Sequence, residues 1–423
     1  MKRLISVAVT SAVLASAQVH ATVSDEDFAR LKADFAAMAE RLNALEAENI
    51  NLREISESTV SDLAVAQSEL AGVSKDNSAS SWAQRIKVKG DFRYRYEEID
   101  VEGKSVRDRN RIRARASLLA KLPSNTEVAL GIATGGDDPV STNQTLGGGG
   151  STKDIRLDLA YFKWNVTENL YLSAGKMKNS FYKPQKNGLL WDGDYNPEGI
   201  GAGWSNDHFF VVFSGNWLES DSKKSNQQFT WGLQGGAKFD LGPVSLTTGL
   251  GYYDIPTRGN SSYYGDDDDF FGNSFECATP DDLSSCVYKY DYEELEVFAN
   301  LSANIFDMPL TIFADYVQNQ DADAFDTGYI VGATLGKASG KGTWQLGYQY
   351  QDLEKDAVLG LLSDSDFAGG GTDGKGHKLS GAYGINKRWK LAFTWLFDNE
   401  AGEGSLGSPV SYDRFMIDTI FKY

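Results

Sequence analysis

Residues 411–423 read SYDRFMIDTIFKY, and this stretch decides the fold. Phe415, Ile417, Thr419, Phe421 and Tyr423 lie on one side of a two-residue period, and Arg414, Met416, Asp418, Ile420 and Lys422 on the other. Alternation of this kind is a strand with one apolar and one polar face. The same pattern recurs upstream. Trp389, Leu391, Phe393, Trp395 and Phe397 alternate with Arg388, Lys390, Ala392, Thr394 and Leu396. Trp344, Leu346, Tyr348 and Tyr350 alternate with Gln345, Gly347, Gln349 and Gln351. Sixteen such segments are predicted between Ile86 and Tyr423. The ambiguous regions 177–206 and 254–290 leave fourteen or eighteen open. Short turns alternate with long connections, among them 135–153, 177–199, 254–289 and 353–373. An even number of strands with loops sorted by length is the pattern of an outer-membrane barrel.

Composition agrees. The 423 residues carry 41 basic and 59 acidic side chains, for a net charge of −18. Mean hydropathy is −0.38, and no apolar run is long enough for a membrane helix. A closed barrel escapes that requirement because only alternate residues meet lipid. Trp82, Trp164, Trp217, Trp344, Trp389, Tyr348, Tyr350 and Tyr423 fit the aromatic girdles at the two membrane interfaces. The acidity argues against nucleic acid as a partner.

Ahead of the barrel the period changes. Residues 1–21 resemble a secretory signal: Lys2 and Arg3, an apolar stretch, then small residues up to Ala21. Residues 22–75 carry a heptad pattern, with Phe28, Leu31, Phe35, Met38, Leu42, Leu45, Asn49 and Leu52 at its core positions. A periplasmic coiled coil is predicted, with 76–85 as linker and 86–423 as barrel. Export also favours a disulfide between Cys277 and Cys286.

The chain resembles the bacterial outer-membrane porins that carry a short N-terminal coiled coil. The resemblance rests on Ile86–Tyr96 as first strand, on LWDGDYNPEG at 190–199, and on YDR to FKY across 412–423. It covers essentially the whole mature chain. It implies a passive outer-membrane channel, a homotrimer, and passage of small hydrophilic solutes. The final Tyr423 stands where such proteins more usually end in Phe.

Two groups of site residues follow. The inward side of the first strand carries Lys87, Lys89, Arg93 and Arg95. The second carries Arg107, Arg109, Arg111, Arg113 and Arg115, and the last two add Arg388, Lys390 and Arg414. These strands become neighbours on closure, giving one basic wall. It is either an anion-attracting surface or a set of arginines held by acidic partners. The loop with Lys178, Lys183, Lys186, Asp192, Asp194 and Glu198 is expected to fold inward as a constriction, its acids facing the wall. The acidic run Asp266–Asp269 reads as a solvated loop tip.

The stretch Gly369–Lys375 mimics a phosphate-binding loop, but Gly376 replaces the magnesium-holding hydroxyl, so it reads as a flexible external loop. His208 and His377 are the only histidines after the signal, too few for a hydrolase triad. No enzyme activity, cofactor or metal is expected. The alternative function is an anchor whose coiled coil contacts the peptidoglycan.

Overall fold

The computed structural model describes residues 25–73, 83–220, 227–280, 282–402 and 409–423. The chain divides into two units, residues 1–83 and 84–423. The first contains helix α1 (Asp25–Val73). Met38, Leu42, Leu45 and Leu52 are more than half exposed on it, and Asn49 is exposed as well. The predicted helix is present, while no coiled-coil partner is seen for these side chains. The side chains of Phe28, Leu31 and Phe35, the segment 1–21 and Trp82 lie outside the described residues.

The second unit is a closed antiparallel barrel of sixteen strands. They are β1 (Ile86–Val101), β2 (Arg107–Leu122), β3 (Thr126–Thr134), β4 (Ile155–Asn165), β5 (Leu170–Lys176), β6 (Glu198–Ser205), β7 (Phe209–Glu219) and β8 (Gln228–Asp240). Then follow β9 (Val244–Ile255), β10 (Tyr292–Ile305), β11 (Met308–Asn319), β12 (Thr327–Gly336), β13 (Trp344–Leu353), β14 (Gly374–Gly384), β15 (Trp389–Ala401) and β16 (Val410–Lys422). Each pairs with its sequence neighbours, and β16 returns to β1 in a register running from Asp91 opposite Lys422 to Val101 opposite Tyr412. A two-residue ladder, Gln144–Thr145, adds to the edge of β2 inside one loop. Closure matters because hydrocarbon offers no partner to an unpaired backbone amide.

Side chains sort by parity. Leu130, Leu157, Leu250, Val297, Ile312 and Ile417 stand outward and exposed, whereas Arg93, Arg95, Glu97, Gln234, Glu294, Glu296 and Asp315 are buried inside. Trp164, Trp217, Trp344, Tyr348 and Tyr423 are all more than two-fifths exposed on the outer surface. The turn Ser124-Asn125 between β2 and β3 has both residues left-handed, at φ 63° and 56°, which suits a tight hairpin.

Loop lengths are less sharply sorted than the sequence suggests. β1 runs on to Val101 rather than ending at Tyr96, so only residues 102–106 connect it to β2. The extension is held by Glu97, which faces Arg109 on β2 and Met416 on β16 in register. The connection 256–291 contains a small hairpin, Phe275–Cys277 with Cys286–Tyr288, in which the two cysteines sit opposite each other and are bonded.

The last residue closes the seam. The Tyr423 hydroxyl donates to the Arg115 carbonyl at 2.9 Å, and its ring lies over Gly90. A Cβ at Gly90 would come within 2.5 Å of that ring, so the seam needs glycine there. Tyr423→Phe keeps the ring and loses one hydrogen bond of about 1 kcal/mol. It is expected to fold nearly as well as wild type. Tyr423→Ala is expected to lower the yield of heat-modifiable folded barrel in refolding gels, and an unchanged yield would remove the ring from assembly.

Candidate functional site

The basic wall is built by register. Antiparallel pairing sets Arg93 opposite Arg113 and Arg95 opposite Arg111. Like charges directly opposite repel, so these pairs persist only with acids between them. Asp91 meets Arg113 at 3.0 Å and Arg115 at 2.7 Å. Asp418 of β16 meets Arg95 at 2.8 Å and Arg93 at 3.9 Å. Glu97, fully buried, is shared by Arg109, Arg111 and Arg414. The last two acids come from loops. Asp194 meets Arg115 at 2.8 Å and Arg113 at 3.4 Å; Asp366 meets Arg95 at 2.8 Å and Arg414 at 3.0 Å. Seven arginines thus share five carboxylates, leaving two positive charges over.

The other members of the wall sit differently. Lys87, Lys89, Arg107 and Arg388 are exposed, Arg388 in the turn before β15. Lys390 lies near Lys422, Asp418, Lys186 and Arg113.

The loop at 177–197 folds inward and crosses the lumen. One end is held at β2 through Asp194, whose second carboxylate oxygen accepts from the Thr142 hydroxyl at 2.9 Å. The other end is held on the far side of the ring. Asn187 donates to Asp315 of β11 at 2.8 Å, and Tyr182 exchanges two hydrogen bonds with Gln234 of β8. Phe181 packs edge-on against Tyr253 of β9 at 4.9 Å. Gly232 makes room for this seat, since a Cβ there would lie 2.8 Å from the Phe181 ring and 2.4 Å from Tyr253.

Lys183 donates to the carbonyls of Trp191 and Asp192, and Lys178 lies 3.9 Å from Asp158. Asp192 faces neither wall; it accepts from the amides of Ser365 and Asp194. Glu198 departs from expectation. It is the first residue of β6, shares the outward parity of Ile200, and pairs with Lys176 at 2.8 Å. The loop ends one residue before it, so its carboxylate does not face the wall.

A second inward loop was not anticipated. In the sequence 353–373 reads as a long external connection, with Gly369–Lys375 as a flexible stretch. Residues 354–373 instead cross the barrel beside the first loop, from β10, where Leu359 N donates to Glu294 at 3.0 Å, to β1 and β16 through Asp366. The two loops are joined by Asp192 N to Leu362 O at 2.7 Å and Asp364 N to Gly188 O at 3.0 Å. Ala357, Val358, Leu359, Leu361 and Leu362 are buried with Leu189, Leu190 and Trp191 in one apolar cluster. The signal was present: AVLGLL at 357–362 is too apolar for a loop in water.

Electrostatics of the loops follow their contacts. Burial acts to raise the Asp194 carboxyl, but Arg113 and Arg115 outweigh it and hold it below the ordinary carboxylate range. Asp366 is likewise held well below that range by Arg414 and Arg95 against its burial. Asp192 goes the other way: burial, then the charge of Asp364, pushes it up to about 7. Among the described residues no cluster suited to a metal ion occurs.

A closed sixteen-strand barrel with a charged interior and an inward loop is the architecture of an outer-membrane channel. A family model described as "Putative porin" matches residues 100–269 and 284–423, and the chain belongs to that family. It is a porin of the bacterial outer membrane. No curated protein sequence matches the chain. The high-pH structure of OprB from Pseudomonas putida superposes with a TM-score of 0.55 at 12% identity, over 82% of this chain and 96% of that one. A loop L8 deletion mutant of Vibrio cholerae OmpT gives 0.46 at 14% identity, over 80% and 99%. A triple mutant of the Rhodopseudomonas blastica porin gives 0.47 at 8%, over 80% and 100%.

The junction of the two loops carries a pH dependence. A carboxyl raised from 3.8 to about 7 stabilises its site while neutral. That stabilisation is fully present below the unfolded value and is lost as pH rises toward 7. Current noise from loop fluctuation is therefore expected to grow between about pH 4 and pH 7, and Asp192→Asn to remain quiet throughout. Equal noise in both proteins at every pH would separate Asp192 from the junction.

Proposed function

We propose that this porin passes small hydrophilic solutes by passive diffusion, with a preference for anions. The observation that carries the preference is the set of lysines beside the wall. Lys87, Lys89, Lys186, Lys390 and Lys422 have no ion pair among the described residues, whereas the acids of the wall are consumed by arginines. A lumen with fixed positive charge in a low-dielectric surround concentrates counter-ions of the opposite sign. Part of the net charge of −18 lies away from the wall, in the exposed run Asp266–Asp269 on the loop 256–291.

In this reading the short turns face the periplasm and the long loops face outward. An even number of strands brings both ends of the barrel to the periplasmic rim. The helix Asp25–Val73 then works in the periplasm, after removal of 1–21, as a coiled coil that joins three subunits. Its exposed Met38, Leu42, Leu45 and Leu52 are the stripe such an assembly buries. Contact with peptidoglycan is a further role open to a helix of this length.

Planar-bilayer recording tests the channel and its selectivity together. Wild type is expected to conduct in triplet steps, with a reversal potential of anionic sign under a salt gradient. Replacing Lys87, Lys89 and Lys390 with Gln is expected to shift that potential toward zero; an unchanged potential would remove these lysines from selectivity. Deleting residues 22–75 is expected to leave single-barrel conductance intact while lowering the crosslinked trimer. A trimer that survives unchanged assigns assembly to the barrel alone.

A further inference from the structure

At the long-loop mouth, ahead of the crossing loops, lies a cavity of about 460 Å³. One side is basic: Lys104, Arg107, Arg109, Arg111 and Arg414 line it. Lys104 and Arg107 have no carboxylate partner among the described residues. Arg109 and Arg111 lean on a single acid, Glu97, which Arg414 also shares. The Nε atoms of Arg111 and Arg414 are buried without a hydrogen-bond partner, and Arg414 is only 3% exposed. The acids that line the cavity are Asp138 and Asp366, and Asp366 is already committed to Arg95 and Arg414.

Apolar lining lies directly beside these cations, since Ile99 is the cross-strand neighbour of Arg107 and Arg414. Ile99 and Tyr412 line the cavity, and belong to a small buried cluster with Phe367, Leu396 and Met416. A hydrated inorganic anion leaves this surface unused. A neutral sugar offers hydroxyl acceptors but no negative charge to answer Lys104 and Arg107. What matches both halves is one carboxylate on a compact apolar body.

We propose that this vestibule is a binding site for small organic carboxylates, loaded before the solute reaches the two loops. The carboxylate sits among Lys104, Arg107 and Arg111, and the apolar body rests against Ile99 and Tyr412. This rests on the porin reading and deepens it: the channel selects among anions, by a site at its mouth. Guanidinium groups are suited to this, because their planar donors engage both carboxylate oxygens at once.

The test uses the full chain, folded in detergent or in a bilayer, with benzoate as probe and acetate and inorganic phosphate as comparators. Benzoate is expected to reduce the chloride current saturably, at concentrations several-fold below those at which acetate or phosphate acts. Arg107 is exposed and unpaired, so Arg107→Gln should fold normally. It is expected to weaken benzoate block, measured as a fraction of each channel's own open current, about tenfold, the worth of one charge-assisted contact. Ile99→Asn is expected to weaken benzoate while leaving acetate unchanged. Equal potency of benzoate, acetate and phosphate on a normally conducting channel would overturn the site and leave the porin reading standing. Should the protein not conduct, calorimetric titration of benzoate in detergent still decides: saturable heat lost in Arg107→Gln supports the site, and heat equal in both proteins sinks it.

Discussion

Everything in the second unit follows from one requirement, that no backbone amide be left unpaired in hydrocarbon. Lipid cannot replace a missing hydrogen bond, so the sheet must return to its own first strand. The return is made where β16 meets β1, and it brings Asp418 and Arg414 beside Arg95 and Glu97. Closing the backbone therefore also completes the charged wall.

That wall is self-limiting. Arg93 and Arg95 of β1 face Arg113 and Arg111 of β2, and repulsion would part these strands unless acids intervened. Three acids come from the strands themselves, Asp91, Glu97 and Asp418. Two come from elsewhere, Asp194 and Asp366. The loops are drawn inward because the strands need their carboxylates, and they stay because their apolar residues have no other cover. Trp191 and Leu361 buried beside Tyr253 and Phe298 are as much a part of this as the ion pairs.

The barrel was legible because its signal is local: a two-residue period survives without knowledge of any partner. The inward side of β1 and β2 was equally legible, since parity fixes it. The acids that answer those arginines were harder. Asp418 and Asp194 lie hundreds and tens of residues away, and only register or a folded loop brings them near. Glu198 was misplaced because strand β6 begins two residues earlier than its apolar pattern suggests, which turns that carboxylate outward. The inward course of 354–373 is hard to read because glycines at 369–371 signal an external tip, while the apolar run at 357–362 signals burial. The stripe on α1 is readable in sequence, and Met38, Leu42, Leu45 and Leu52 stand exposed along the helix.

The paired loops have a mechanical meaning apart from what they let through. Each is fastened to β1, β2 or β16 at one end and to strands between β8 and β11 at the other, and the two are stitched to each other at Asp192 and Asp364. A hollow tube of thin sheet resists bending poorly across its diameter. A cross-brace anchored at facing points holds that diameter against the lateral pressure of the bilayer, as a spoke holds a rim. Widening the aperture by shortening either loop therefore carries a cost in roundness, and the narrowness of the passage is in part the thickness of its own scaffolding.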